Sequence, residues 1–254
     1  MPALVEKEEE GRRFRPGLGA TLSTLVAVAI MVALGTWQVE RLAWKNALID
    51  RIESGMRAAP VPLPARIDDP AEWDFRRVSA TGRFLHDHEL DLAARSMNGR
   101  IGYQIVTPLK RDDGTLVLVN RGWVPLERRD PATRPEGLPA GTVTVEGVAR
   151  VPAGQGWMQP DNDPARNMWF WYDIQNMAAQ MGAGSGAGAD GALPVVIEAG
   201  DAANPGGFPI GGQTNVNIAN NHLQYAFTWY SLAITLIVVY FVFHWRRGSG
   251  EGTR

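Results

Sequence analysis

The chain has 254 residues, a formal net charge of −2 and no cysteine. The missing cysteines exclude disulfides, thiolate metal sites and a cysteine nucleophile, and the near-neutral balance gives no reason to expect a nucleic-acid partner. The length leaves room for one domain with its own core beside any membrane segments.

Residues 1–16 read as a short cytoplasmic tail, acidic over 6–10 and basic at Arg12, Arg13 and Arg15. Residues 17–37 are predicted to be a first transmembrane helix. No charge occurs between Arg15 and Glu40, and a helix over 18–37, at about 1.5 Å per residue, covers roughly 30 Å, the thickness of a hydrocarbon core. Trp37 closes it where interfacial tryptophan sits. A cleaved signal peptide is the competing reading, but its apolar region is usually only about 7–15 residues long. The helix is predicted to continue into water with Trp37, Arg41, Trp44, Lys45 and Leu48 on one face, and to end near Gly55. Pro60, Pro62 and Pro64 then impose an extended connector.

Residues 38–224 are expected to hold a β-rich domain. Strand patterns run over 76–85, 89–95, 103–109, 116–123 and 143–151, with shorter ones at 169–172 and 194–198. Asp112-Asp113-Gly114 marks a hairpin turn. A short helix over 173–181 is capped by Asp173, and 182–191 is a Gly-rich, low-complexity insert. Residues 225–245 form the second predicted transmembrane helix, with Tyr225, Trp229 and Tyr230 at one end and Tyr240, Phe241, Phe243 and Trp245 at the other. It ends in Arg246-Arg247, whereas 214–224 carries no Lys or Arg, so the positive-inside rule puts the C-terminal tail, 246–254, in the cytoplasm. Two spans then place the middle region outside, in the periplasm of a bacterial inner membrane or in a mitochondrial intermembrane space. The expected fold class is membrane α+β: two terminal transmembrane helices flanking a mainly antiparallel β extracytoplasmic domain. A nine-residue C-terminal tail argues against a transmembrane sensor, which needs an output domain.

His222, Tyr225, Ala226 and Trp229 share one helical face at i, i+3, i+4 and i+7. One reading is an interfacial helix start with aromatic anchors. The other is a haem site, with imidazole on iron and aromatics against the porphyrin. Trp37, Gln38, Arg41, Trp44 and Lys45 admit the same pair of readings: interfacial anchoring, or a wall in which Arg41 or Lys45 meets haem propionates. Arg121 and Trp123, in Asn120-Arg121-Gly122-Trp123-Val124-Pro125, either close a strand with a packed tryptophan or face a ligand; Gly122 implies close backbone approach. His86-Asp87-His88 reads as an extended segment with both imidazoles on one face, a weak metal pattern. No catalytic triad, phosphate loop or zincin motif is present, and no enzymatic activity is expected.

Three segments together resemble the Surfeit locus protein 1 (Shy1-like) family of cytochrome c oxidase assembly factors. They are Leu34-Gly35-Thr36-Trp37-Gln38-Val39-Glu40-Arg41-Leu42-Ala43-Trp44-Lys45, Val119-Asn120-Arg121-Gly122-Trp123-Val124-Pro125, and Asn220-Asn221-His222-Leu223-Gln224-Tyr225-Ala226-Phe227-Thr228-Trp229. The loop from Pro205 to Gly212 is similar too, so the resemblance covers almost the whole chain. It implies a non-enzymatic chaperone of complex IV assembly that binds haem a transiently and aids its insertion into cytochrome c oxidase subunit I, with haem a synthase as a further possible contact and membrane lipid around it. It makes His222 the candidate axial iron ligand, and Tyr225, Trp229, Trp37, Arg41, Arg121 and Trp123 candidate haem contacts. The alternative is a scaffold that stabilises unassembled subunit I and binds no haem.

Overall fold

The computed structural model describes residues 17–182, 184–185, 191–214 and 220–247. They belong to two compact units, residues 1–49 with 218–254 and residues 50–217. Most of the Gly-rich insert and both terminal tails lie outside the described residues. The α-helices are α1 (Leu18–Arg57), α2 (Ile174–Ala179) and α3 (His222–Arg247).

Most of α1 and all of α3 form the first unit. Both are long and apolar enough to cross a membrane, and their apolar stretches are almost wholly exposed. A core helix of a soluble protein would be buried, so this is a membrane protein. Small residues let the two helices approach: a Cβ on Gly35 would come within 2.8 Å of the Tyr230 ring, and Ala226 and Ala233 are buried. Hydroxyls fix the pairing, with Tyr230 reaching Thr36 at 3.2 Å and Tyr240 reaching Thr21 at 2.7 Å. Without a hydrophobic drive in lipid, close packing and such hydrogen bonds hold helices together.

The second unit begins with the last turns of α1, where Ile52 is buried and Gly55 passes the Phe75 carbonyl closely enough that a Cβ would sit at 3.1 Å. As expected, the helix continues well beyond Trp37 and stops beside Gly55. Among the described residues nine strands follow: β1 (Val61–Pro62), β2 (Arg77–Phe84), β3 (Leu90–Met97), β4 (Arg100–Arg111), β5 (Leu116–Pro125), β6 (Thr142–Arg150), β7 (Met168–Trp169), β8 (Gly184–Ser185) and β9 (Gly191–Ala199). The order β1-β2-β6-β9-β5-β4-β3-β7 is closed by an additional β2–β4 pairing, so β2, β6, β9, β5 and β4 form a five-stranded barrel. Among these the pairings are antiparallel except β5 with β9, which makes the domain mainly antiparallel and mixed. Closure removes the exposed edges an open sheet would leave.

The barrel interior is filled by Leu63, Ile67, Val78, Ala80, Leu109, Val117, Val119, Ala149, Leu193, Val195 and Ile197. A second cluster, including Leu92, Val106, Leu118, Trp169 and Val196, packs outside the same strands under Met177 of α2. β5 is therefore covered on both faces and every residue from Leu116 to Pro125 is buried, which is why its sequence is an apolar run rather than an alternation. The Asp113 carboxylate accepts from the Thr115 amide at 2.9 Å in the β4–β5 hairpin. Asp173 caps α2 through the Asn176 amide. His86-Asp87-His88 is a 3-10 turn rather than extended chain.

Candidate functional site

His222 opens α3, opposite the point of α1 where Gln38 lies buried. The His222 Nδ1 and Gln38 Oε1 are 2.6 Å apart. A carbonyl oxygen only accepts, so Nδ1 carries a proton, and in the neutral imidazole Nε2 then keeps its lone pair. The Trp37 indole stands edge-on to the imidazole, ring centres 6.4 Å apart at 84°. About two turns further along α1 than Gln38, Asn46 accepts a hydrogen bond from the Asn220 amide at 2.8 Å. Asn220 therefore clasps α1. The imidazole is oriented by Gln38 and Trp37, and it is half-buried rather than sealed.

The remaining helix candidates surround this pair to different degrees. Trp229 is half-buried two turns along α3, and Tyr225 is 54% exposed. On α1 the Arg41 guanidinium lies 4.0 Å over the Trp44 ring, a cation–π stack that leaves its charge at the surface. The structure thus brings His222, Gln38 and Trp37 into one constellation, with Tyr225, Trp229 and Arg41 exposed or half-buried on the same two helices. The family-like motif alone assigns no role to Gln38; a lone buried amide next to Trp37 in an apolar helix is the signal that could have singled it out.

Arg121 and Trp123 belong to the sheet unit and are nearly inaccessible, each about 2% exposed. Ile105 pairs with Gly122 and Val106 with Asn120, so Arg121 is the extra residue of a β-bulge, the device by which a strand re-aims a side chain. Its guanidinium donates to Glu89 Oε1 at 3.4 Å, the Gly137 carbonyl at 2.6 Å and Asn204 Oδ1 at 3.1 Å, and stacks on Phe84 at 4.7 Å. Burial depresses its pKa to about 10, against the raising influence of Glu89. Glu89 also receives Arg134, Thr107 and His86; the second His86 nitrogen faces the Pro139 carbonyl at 3.1 Å. Among the described residues no group of three or more His, Asp or Glu is placed to hold a metal. Trp123 donates to the Arg95 carbonyl. Its backbone exchanges two 2.8 Å hydrogen bonds with Ile210, and a Cβ on Gly122 would stand 2.0 Å from the Ile210 oxygen. The close approach expected at Gly122 is this latch. Arg121 and Trp123 are bound into internal contacts that hold the loops of 134–139 and 204–210 on the barrel.

A two-helix membrane unit with an oriented histidine at its mouth, joined to a closed mixed barrel, defines a membrane-anchored β-barrel protein without a recognisable catalytic centre among the described residues. Residues 25–234 match the SURF1 family, and the chain belongs to it. It is 35% identical over 250 residues to a SURF1-like protein of Monosiga brevicollis, covering 94% of this chain and 92% of that one. It is 37% identical over 224 residues to Surfeit locus protein 1 of Homo sapiens, covering 82% and 72%, and 36% identical over 232 residues to that of Mus musculus, covering 85% and 73%.

Proposed function

We propose that this protein is a non-enzymatic assembly factor for cytochrome c oxidase that binds haem a through His222 and aids its insertion into subunit I. The observation that carries the reading is the 2.6 Å contact from His222 to Gln38. A metal-ligating histidine characteristically gives its other ring N–H to an acceptor, which fixes tautomer and ring orientation and raises the basicity of the ligand nitrogen. Nε2 of His222 would then ligate the haem iron, Trp37, Tyr225 and Trp229 would offer aromatic contacts to the porphyrin, and Arg41 would supply a cation for the propionates. Haem a supplies the redox-active iron of the receiving oxidase. Ligation by one imidazole at a half-open site suits a carrier, which must release what it holds. Arg121 and Trp123 are buried inside the barrel unit and are left out of the proposed cargo contacts.

The basic Arg246-Arg247 flank supports a barrel on the non-cytoplasmic side; we place it in the periplasm of a bacterial inner membrane, with subunit I and haem a synthase as partners there. The test is an absorption spectrum of full-length protein purified from cells that also make haem a. A haem a spectrum in the wild type that is lost or shifted in His222→Ala supports the carrier. Unchanged haem in His222→Ala moves the ligand elsewhere, and no haem in either leaves a scaffold that stabilises subunit I without haem.

A further inference from the structure

Two residues before His222, Asn220 uses only one end of its side chain. Its Nδ2 donates to Oδ1 of Asn46, an exposed residue of α1, at 2.8 Å. Its Oδ1 is buried and receives no hydrogen bond. Among the described residues it is the one buried side-chain nitrogen or oxygen of the helix unit left without a partner; the other three, on Arg95, Trp171 and Glu198, belong to the barrel unit. A buried acceptor with no donor is costly, and folds rarely keep one without a use for it. Asn46 and Gln38 are eight residues apart on α1, about two turns. The residues that meet them, Asn220 and His222, have Cα atoms at most roughly 7 Å apart. The oxygen thus stands within reach of the rim of a porphyrin held by His222. Asn220 as a whole is half-buried, which leaves the cargo a path to it.

A carbonyl oxygen accepts and cannot donate, and that narrows what can satisfy it. On the rim of a haem the propionates and a formyl group are acceptors themselves, and methyl and vinyl groups offer no polar hydrogen. The one donor is the hydroxyl of a hydroxyethylfarnesyl chain, which haem a carries and haem b lacks. We propose that Asn220 Oδ1 accepts a hydrogen bond from that hydroxyl and so makes the site selective for hydroxyalkyl haems over haem b. Asn46 is the positioning residue: by taking the Nδ2 end it leaves the oxygen end for the cargo. With haem b the oxygen stays unpaired, and a site built around a substrate hydroxyl discriminates against an analogue without one for that reason. The proposal rests on the reading of His222 as a haem ligand and adds to it the group that tells one haem from another.

The test titrates the full-length protein in detergent with haem a, haem b and haem o, which has the hydroxyethylfarnesyl chain but no formyl group, and reads each dissociation constant by absorption. The wild type is expected to prefer haem a and haem o to haem b. In Asn220→Leu that preference should fall roughly tenfold, the worth of one hydrogen bond, through weaker binding of haem a and haem o with haem b unchanged. What preference remains belongs to the apolar farnesyl tail. Asn46→Ala should lose part of the same preference, again without moving haem b. An unchanged preference in Asn220→Leu overturns the proposal, and so does an equal loss for all three haems, which marks a structural role. A wild type that binds none of the three fails the carrier reading and the selectivity together. Undiminished binding in His222→Ala, with the preference still lost in Asn220→Leu, fails only the ligand assignment and keeps Asn220 as the selective group.

Discussion

Glu89→Gln should destabilise the barrel more than any other single charge removal in it. In the native fold the carboxylate is 8% exposed and faces two guanidinium groups, Arg121 and Arg134, themselves 2% and 3% exposed. Gln is nearly isosteric and keeps a hydrogen bond from Thr107, so the change is almost purely one of charge: two buried cations lose their counter-ion. Breaking a buried pair from one side costs about 3–5 kcal/mol. The remaining bonds of Arg121 to the Gly137 carbonyl and Asn204, and of Arg134 to the Arg128 carbonyl, partly solvate those cations and favour the lower end. For a domain of this size each kcal/mol moves Tm by roughly 2–4 °C, so the drop should be roughly 6–20 °C. Thermal unfolding of the detergent-solubilised chain, followed by near-ultraviolet circular dichroism of the buried Trp123 and Trp169, measures it. Glu89→Gln with Arg121→Met leaves one uncompensated cation instead of two and should recover part of the loss, a coupling between contacting sites. A drop of less than about 2 °C, or a double variant no better than the single, refutes the assignment of Glu89 as the counter-ion that permits both arginines to be buried.

Gly122→Ala is expected to lose roughly 2–6 kcal/mol, from the φ of +119° and the clash with the Ile210 oxygen together; limited proteolysis should then cut first within 201–212, and native-like resistance there would contradict the latch. Gln38→Leu removes the acceptor for His222 Nδ1 and is expected to weaken haem binding about 10–100-fold with the fold intact, read by haem titration in detergent; undiminished affinity would mean that Gln38 does not orient the ligand. Burial works to raise the Asp113 pKa, but hydrogen bonds from the Thr115 hydroxyl and amide and the charge of Arg111 lower it below 3.8. A depressed carboxyl contributes stability above its unfolded pKa and loses it as pH falls through the folded value, so Asp113→Asn should flatten part of the fall in Tm below about pH 4. Asp91 acts oppositely: burial raises its pKa in spite of Arg129, so its stabilising contribution is present at low pH and fades as pH rises through the raised value. Asp91→Asn should therefore remove a component that declines with pH, in the same Tm-against-pH series.

What could be read from the residues divides by the range of the interaction that decides it. The two spans, the continuation of α1 to Gly55, the Asp173 cap and the hairpin at Asp112-Asp113-Gly114 all follow from contacts within a few residues, and all appear in the fold. Asn98-Gly99, both at positive φ, marks the β3–β4 turn just as openly, as an Asn-Gly pair between strands. The barrel could not be read this way. Its closure depends on β2 meeting β4 and on the parallel pairing of β5 with β9 across nearly eighty residues, and no local pattern encodes a partner that distant.

The same division explains the candidate residues. His222 stands out because imidazole is rare at a membrane boundary and its neighbours are periodic. Arg121 stands out for the opposite reason: an arginine inside the most apolar strand looks like a ligand contact until the bulge shows where it points. The bulge exists because β4 and β5 differ by one residue across Ile105–Val106, and the counter-ion it reaches, Glu89, lies on another strand's approach. Buried charge alone is therefore a poor guide to a binding site in this chain.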